Sequence, residues 1–164
     1  KLDFKVGGAW IDQALVLVEK FQFAQTHLWF NADVEILDEA RVRQLAMRYP
    51  QSIIQIPITF LRSLVNRPGE LQRQLEEYRA WGINRFSVAW GRPETRALFD
   101  LVTGWGHAVN LYGIPNHKAF SQAVLWQPRS ITCDFNFPTW AYYGRRSGHQ
   151  GVSHSYTMSN EATP

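Results

Sequence analysis

The sequence predicts an α/β fold, a (β/α) TIM-type barrel that is incomplete, with about six βα units and its amino-terminal strands missing. Three observations lead there. Short apolar runs begin near residues 2, 27, 52, 85, 108 and 131, and intervals of about 23 to 33 residues suit parallel strands joined by crossover helices. Between the runs, apolar residues recur at helical spacing. Polar residues cluster at the carboxyl ends of the first, second, fifth and sixth runs, the rim on which a (β/α) barrel builds a site. No Gly-x-Gly-x-x-Gly and no phosphate-binding loop follows any strand, so a nucleotide-binding doubly wound sheet ranks second. A closed barrel needs eight strands, and the shortfall predicts either a missing upstream piece or closure with another chain. The chain also begins at Lys1, directly in a strand-like run, as a processed or truncated product would.

The first strand, Leu2-Asp-Phe-Lys-Val6, alternates faces, so Asp3 and Lys5 project to one side and Leu2, Phe4 and Val6 to the other. After Gly7-Gly8, the residues Trp10, Ala14, Leu17, Val18 and Phe21 predict a helix whose stripe covers the sheet. In the second strand, His27 to Asp33, the same parity sets Trp29, Asn31 and Asp33 opposite Leu28, Phe30 and Ala32. Asp38 caps a helix with Val42, Leu45, Ala46 and Tyr49 aligned, and Pro50 ends it. The third strand spans Ser52 to Thr59, where Pro57 removes a ladder donor and marks a bulge or an end. A connection from Phe60 to Pro68 leads to a helix with Leu71, Leu75 and Tyr78, closed by Gly82. The strand Arg85 to Trp90 precedes a helix carrying Leu98, Leu101, Val102 and Trp105, closed by Gly106. The strand Ala108 to Ile114 precedes a helix capped by Asn116, holding Phe120, Ala123 and Val124 and stopped by Pro128. Ile131 to Phe137 is the sixth strand. The barrel portion is thus residues 1–138, and residues 139–164, where apolar periodicity is gone, form a mobile carboxyl-terminal tail.

At 164 residues with 45% hydrophobic content the chain can bury one sizeable core, and 7 Trp, 6 Tyr and 10 Phe give it many large flat side chains. The net charge of +3 comes without a dense cationic run, the tightest pair being Arg145-Arg146. A nucleic-acid partner, which needs a basic patch or stripe, is therefore not expected. The basic balance suits a small anionic substrate or a lipid headgroup instead. No apolar run reaches membrane-spanning length. The single cysteine, Cys133, rules out an intramolecular disulfide framework and, in an apolar run, reads as a buried thiol.

Leu2-Asp-Phe-Lys5 followed by Leu28-Trp-Phe-Asn-Ala-Asp33 resembles the paired "LDFK" and "W-[LI]-NAD" signatures of the menorin family, whose domain belongs to the glycerophosphodiester phosphodiesterase superfamily of (β/α) barrels. Val109-Asn-Leu-Tyr-Gly-Ile114 is similar to the superfamily's "V-x-V-W-T-V" strand, with Tyr112 in place of Trp, and Ile131 to Pro138 is similar to its last strand, in which an Asp precedes a Pro-containing turn. The likeness covers residues 1–138.

The resemblance implies a metal-dependent phosphodiesterase-like hydrolase acting on a small phosphodiester or lipid headgroup, with a divalent cation, Mg or Ca. Asp3 then matches a carboxylate metal ligand, where the phosphodiesterases usually carry Glu, and Lys5 matches the catalytic lysine that meets the phosphate. Asn31, Asp33, Tyr112 and Asp134 line the same mouth as substrate-binding residues. The superfamily's His-Arg start, acidic pair and second catalytic His have no counterpart here, and of the five histidines only His117 lies beside a strand's carboxyl end. The expectation is therefore a chain inactive alone, weak in metal binding, and able to associate with another chain that completes the barrel. The alternative is a non-catalytic extracellular recognition module of the menorin type. A third reading is a sugar- or cofactor-handling barrel with Trp29, Trp90 and Tyr112 as stacking platforms.

Overall fold

The computed structural model describes residues 1–133, 135 and 154–157. Among the described residues seven strands and five α-helices follow in the order β1 (Leu2–Asp3), α1 (Ala9–Lys20), β2 (Trp29–Asn31), α2 (Glu39–Arg48), β3 (Ile53–Pro57), α3 (Pro68–Trp81), β4 (Arg85–Ala89), α4 (Thr95–Gly104), β5 (Val109–Ile114), α5 (His117–Val124), β6 (Ser130–Cys133) and β7 (His154–Thr157). The strict alternation from β1 to β6 is that of an α/β fold. Two compact units divide the chain after Phe86, inside β4.

In the first unit β1, β2 and β3 are parallel neighbours, with Leu2 opposite Phe30, Asp3 opposite Asn31, Phe30 opposite Ile54 and Asn31 opposite Gln55. The amide of Phe4 donates to the Asn31 carbonyl at 2.8 Å, extending the ladder one residue past β1. Register fixes two rows. Leu2, Phe30 and Ile54 share one face, and Asp3, Asn31 and Gln55 share the other. Leu28, Trp29, Phe30 and Ala32 are all buried, as expected for a parallel strand covered on both sides. Phe30 is the centre of the apolar layer, stacked on Phe4 at 6.1 Å and tilted against Tyr49 at 5.3 Å.

The helices of this unit follow their sequence signals closely, α1 excepted. Asp38 caps α2, its carboxylate accepting from the Arg41 amide at 2.9 Å, and Val42 and Leu45 are fully buried. Pro68 opens α3, Leu71, Leu75 and Tyr78 are its buried stripe, and Gly82 ends it at φ 114°. α1 buries Ile11, Leu15 and Val18, while Trp10, Leu17 and Phe21 of the expected stripe are more than half exposed. Both sets obey helical spacing, so periodicity alone does not choose between them. Asp12 and Glu19, on one flank of the buried stripe, meet Arg41 and Arg48 of α2, and the other flank carries the exposed apolar set.

Two shorter differences concern connections. His27 lies in a 3-10 helix, Gln25–His27, so β2 starts later than the apolar run. Thr59–Asn66, where the sequence predicts a strand end at Thr59 and a plain connection from Phe60, is a 3-10 helix that buries Leu61. β3 does end at Pro57.

In the second unit the Trp90 amide donates to the Tyr112 carbonyl at 2.8 Å. β5 and β6 are parallel, Asn110 opposite Ser130 and Leu111 opposite Ile131, with the register shifting between Leu111 and Ile114. Gly113 sits in that shift at φ 70°, a conformation that other residues adopt at a cost. α4 buries Leu98, Phe99 and Val102, and Asn116 caps α5 by accepting from Ala119 at 3.0 Å. Cys133 is a buried thiol, as the sequence predicts. β7 lies in a stretch where the sequence shows no periodic signal, and pairs antiparallel with β6. Among the described residues no helix is long and apolar enough to cross a membrane.

Candidate functional site

The polar face of the first unit's sheet carries a hydrogen-bonded row. Gln55 Nε2 donates to Asn31 Oδ1 at 2.7 Å, and Asn31 Nδ2 donates to Asp3 Oδ1 at 2.7 Å. The Lys5 ammonium closes the row on Asp3 Oδ2 at 2.8 Å. Parallel register produces this arrangement directly, because Asp3, Asn31 and Gln55 occupy equivalent positions on three adjacent strands. Asp3 and Asn31 are the last residues of β1 and β2, so the row stands at the carboxyl ends of those strands. Gln55 is buried and Asn31 half-buried, whereas the Lys5 side chain is 78% exposed. The row thus runs from the interior to solvent and ends on a cation.

Partial burial pushes the Asp3 carboxyl up, but hydrogen bonds from Lys5 and Asn31, with the charges of Lys5 and Lys1, outweigh it, and the net pKa lies below the ordinary aspartate value. Asp3 is therefore an anion at neutral pH and no general acid. A depressed folded-state pKa contributes stability above the unfolded value, near 3.9, and that contribution fades as pH falls through the folded value. Asp3→Asn is accordingly expected to flatten the pH dependence of stability below about pH 4 and to leave its slope near neutrality unchanged. Urea midpoints across that range check this, and an unchanged acid limb in the variant contradicts it.

Trp29 lies on the same face as Asn31, one row deeper, and is buried instead of lining a mouth. Its ring has the Lys1 ammonium at 4.7 Å and the buried Arg85 guanidinium at 4.9 Å, two cation–π contacts. Among the described residues its Nε1 has no hydrogen-bond partner, nor has Gln55 Oε1.

Of the residues expected at one mouth, Asp3, Lys5 and Asn31 converge. Asp33 is exposed after β2, and its backbone carbonyl accepts from Ile36 and Leu37 at 3.0 and 2.8 Å while its carboxylate bonds to none of the described residues. Tyr112 is half-buried in β5 of the second unit. Asp134 lies outside the described residues. His117 opens α5, exposed, with its ring edge-to-face with Phe135 at 5.0 Å. Gln55 was not singled out from the sequence, although a lone amide in Ile53-Ile-Gln-Ile56, at the parity that matches Asn31, carried the signal. The buried trio of the second unit also escaped notice: Asn110 Oδ1 accepts from Ser130 Oγ at 2.8 Å and from Thr132 Oγ1 at 3.3 Å.

A hard divalent cation needs about six oxygen ligands, several of them carboxylate. Around Asp3 both oxygens are engaged, one by an amide and one by an ammonium. Among the described residues no group of three His, Cys, Asp or Glu side chains stands close enough to hold a metal. The described donor set does not make a divalent cation site by itself. No family model, no curated protein and no solved structure matches this chain.

Proposed function

We propose that the chain forms part of a glycerophosphodiester phosphodiesterase-like (β/α) barrel of the menorin type, and that its share of the work is phosphodiester recognition. The observation that carries this reading is the row from Gln55 through Asn31 and Asp3 to Lys5, which comes out at the carboxyl ends of β1 and β2. Lys5 meets a phosphoryl oxygen, and Asp3, held ionised, keeps the ammonium charged and oriented. The ligand is a small phosphodiester or a lipid headgroup, and further cation ligands for hydrolysis come from strands beyond those described.

A non-catalytic recognition module is the second reading. It is favoured by the engagement of both Asp3 oxygens, which leaves a neutral pair where an active site would hold a metal.

Two measurements on the chain test the site and the inactivity that both readings share. Glycerophosphocholine binding, followed by calorimetry, is expected to weaken about tenfold in Lys5→Ala, the loss of one charge-assisted hydrogen bond. Hydrolysis of bis-p-nitrophenyl phosphate with Mg²⁺ or Ca²⁺ is expected to stay at background. Clear turnover defeats the proposed inactivity of the chain alone, and binding indifferent to Lys5→Ala defeats the assignment of the site.

A further inference from the structure

A cleft of about 570 Å³ opens in the second unit, at the loop between β4 and α4. Ligand sites commonly have volumes of this order. Trp90 and Trp126 form its apolar side, their rings 4.6 Å apart and tilted by 41°. Trp126 is half-buried and already engaged, with Phe99 at 5.4 Å and the Arg96 guanidinium at 4.7 Å over its ring. Trp90 touches no other aromatic ring among the described residues, is half-buried and lines the cleft. It is the available platform.

The polar side is balanced in charge. Arg96 Nε donates to Asp100 Oδ2 at 2.7 Å, so one cation and one anion of the lining neutralise each other while keeping further donors and acceptors. Arg92 and Glu94 stand on the loop, both exposed and without a hydrogen bond to any described side chain. An anionic ligand would gain from Arg92 and be repelled by Glu94 and Asp100; a cationic one would meet the reverse. A hydroxyl is both donor and acceptor, and suits alternating guanidinium and carboxylate groups. The apolar C–H face of a sugar ring suits an indole plane. The cleft is open to solvent and not a closed chamber, which fits an extended chain of rings better than an engulfed small molecule.

We infer that this cleft binds a neutral oligosaccharide, with one ring stacked on Trp90 and its hydroxyls held by Arg92, Glu94 and the Arg96–Asp100 pair. The site lies wholly in the second unit and is independent of the phosphodiester row, so either assignment can fail without the other.

Saturation-transfer NMR on the whole chain with cellotriose, maltotriose and chitotriose tests it. At least one trisaccharide is expected to receive saturation at its ring C–H protons, with inorganic phosphate unable to displace it. Trp90→Ala is expected to weaken that binding about tenfold, Trp90→Phe to retain most of it, and Arg92→Gln to weaken it severalfold. Circular dichroism confirms that each variant is folded. No binding by any of the three sugars, equal binding by a folded Trp90→Ala, or displacement by phosphate overturns the inference.

Discussion

Gly82→Ala is expected to destabilise the chain by about 2 to 5 kcal/mol, and the physical origin of that loss is divisible. Gly82 ends α3 at φ 114°, in the left-handed half of backbone space, where a side chain costs about 1–2 kcal/mol. A methyl group at this position would also stand 2.5 Å from the Ala46 methyl on α2, much closer than two carbons can approach. Overpacking of this kind costs a further 1–3 kcal/mol or so. Ala46→Gly removes the atom that is struck, at about 1 kcal/mol for a glycine inside a helix. The double variant is therefore expected to be more stable than the sum of the single losses, by the part that is steric. Urea unfolding of the four proteins reads this directly. Strict additivity would mean that α3 does not end against α2 in the way described.

Phe30→Ala is expected to cost about 3–5 kcal/mol, the range for deleting a fully buried aromatic ring. Phe30 is 0% exposed and packs between Phe4 and Tyr49, so its removal opens the layer between β1, β2 and the end of α2. Against a total stability of about 5–15 kcal/mol for a domain, this is a large share of the margin. Phe30→Leu, which keeps most of the volume, is expected to cost roughly half as much or less. Thermal melts of both variants measure the pair, and a loss below about 1 kcal/mol for the alanine would contradict the burial.

What could be read from the residues was whatever one short-range rule decides. Asp38 and Asn116 announce helix starts because a side-chain oxygen three residues before a bare amide has one good use. Pro57 and Gly82 mark their element ends for equally local reasons. The meeting of Asp3, Lys5 and Asn31 followed from strand parity and parallel order together. Gln55 needed the register of β3 against β2, which no single stretch states. Trp29 was assigned the correct face and the wrong depth, because parity gives direction but not how far Arg85 of β4, two strands away, reaches over the ring. In α1 two apolar stripes compete at identical spacing, and only the position of α2, fixed through Asp12 and Glu19, shows which one turns inward.

That helix has a consequence for handling the protein. Its two flanks respond to dissolved ions in opposite senses: salt screens the attraction of Asp12 and Glu19 for α2, while sulfate or phosphate makes water a poorer solvent for Trp10, Leu17 and Phe21. Dilute, weakly salting buffers keep both flanks content, and concentrated sulfate invites precipitation through α1 before the core is disturbed.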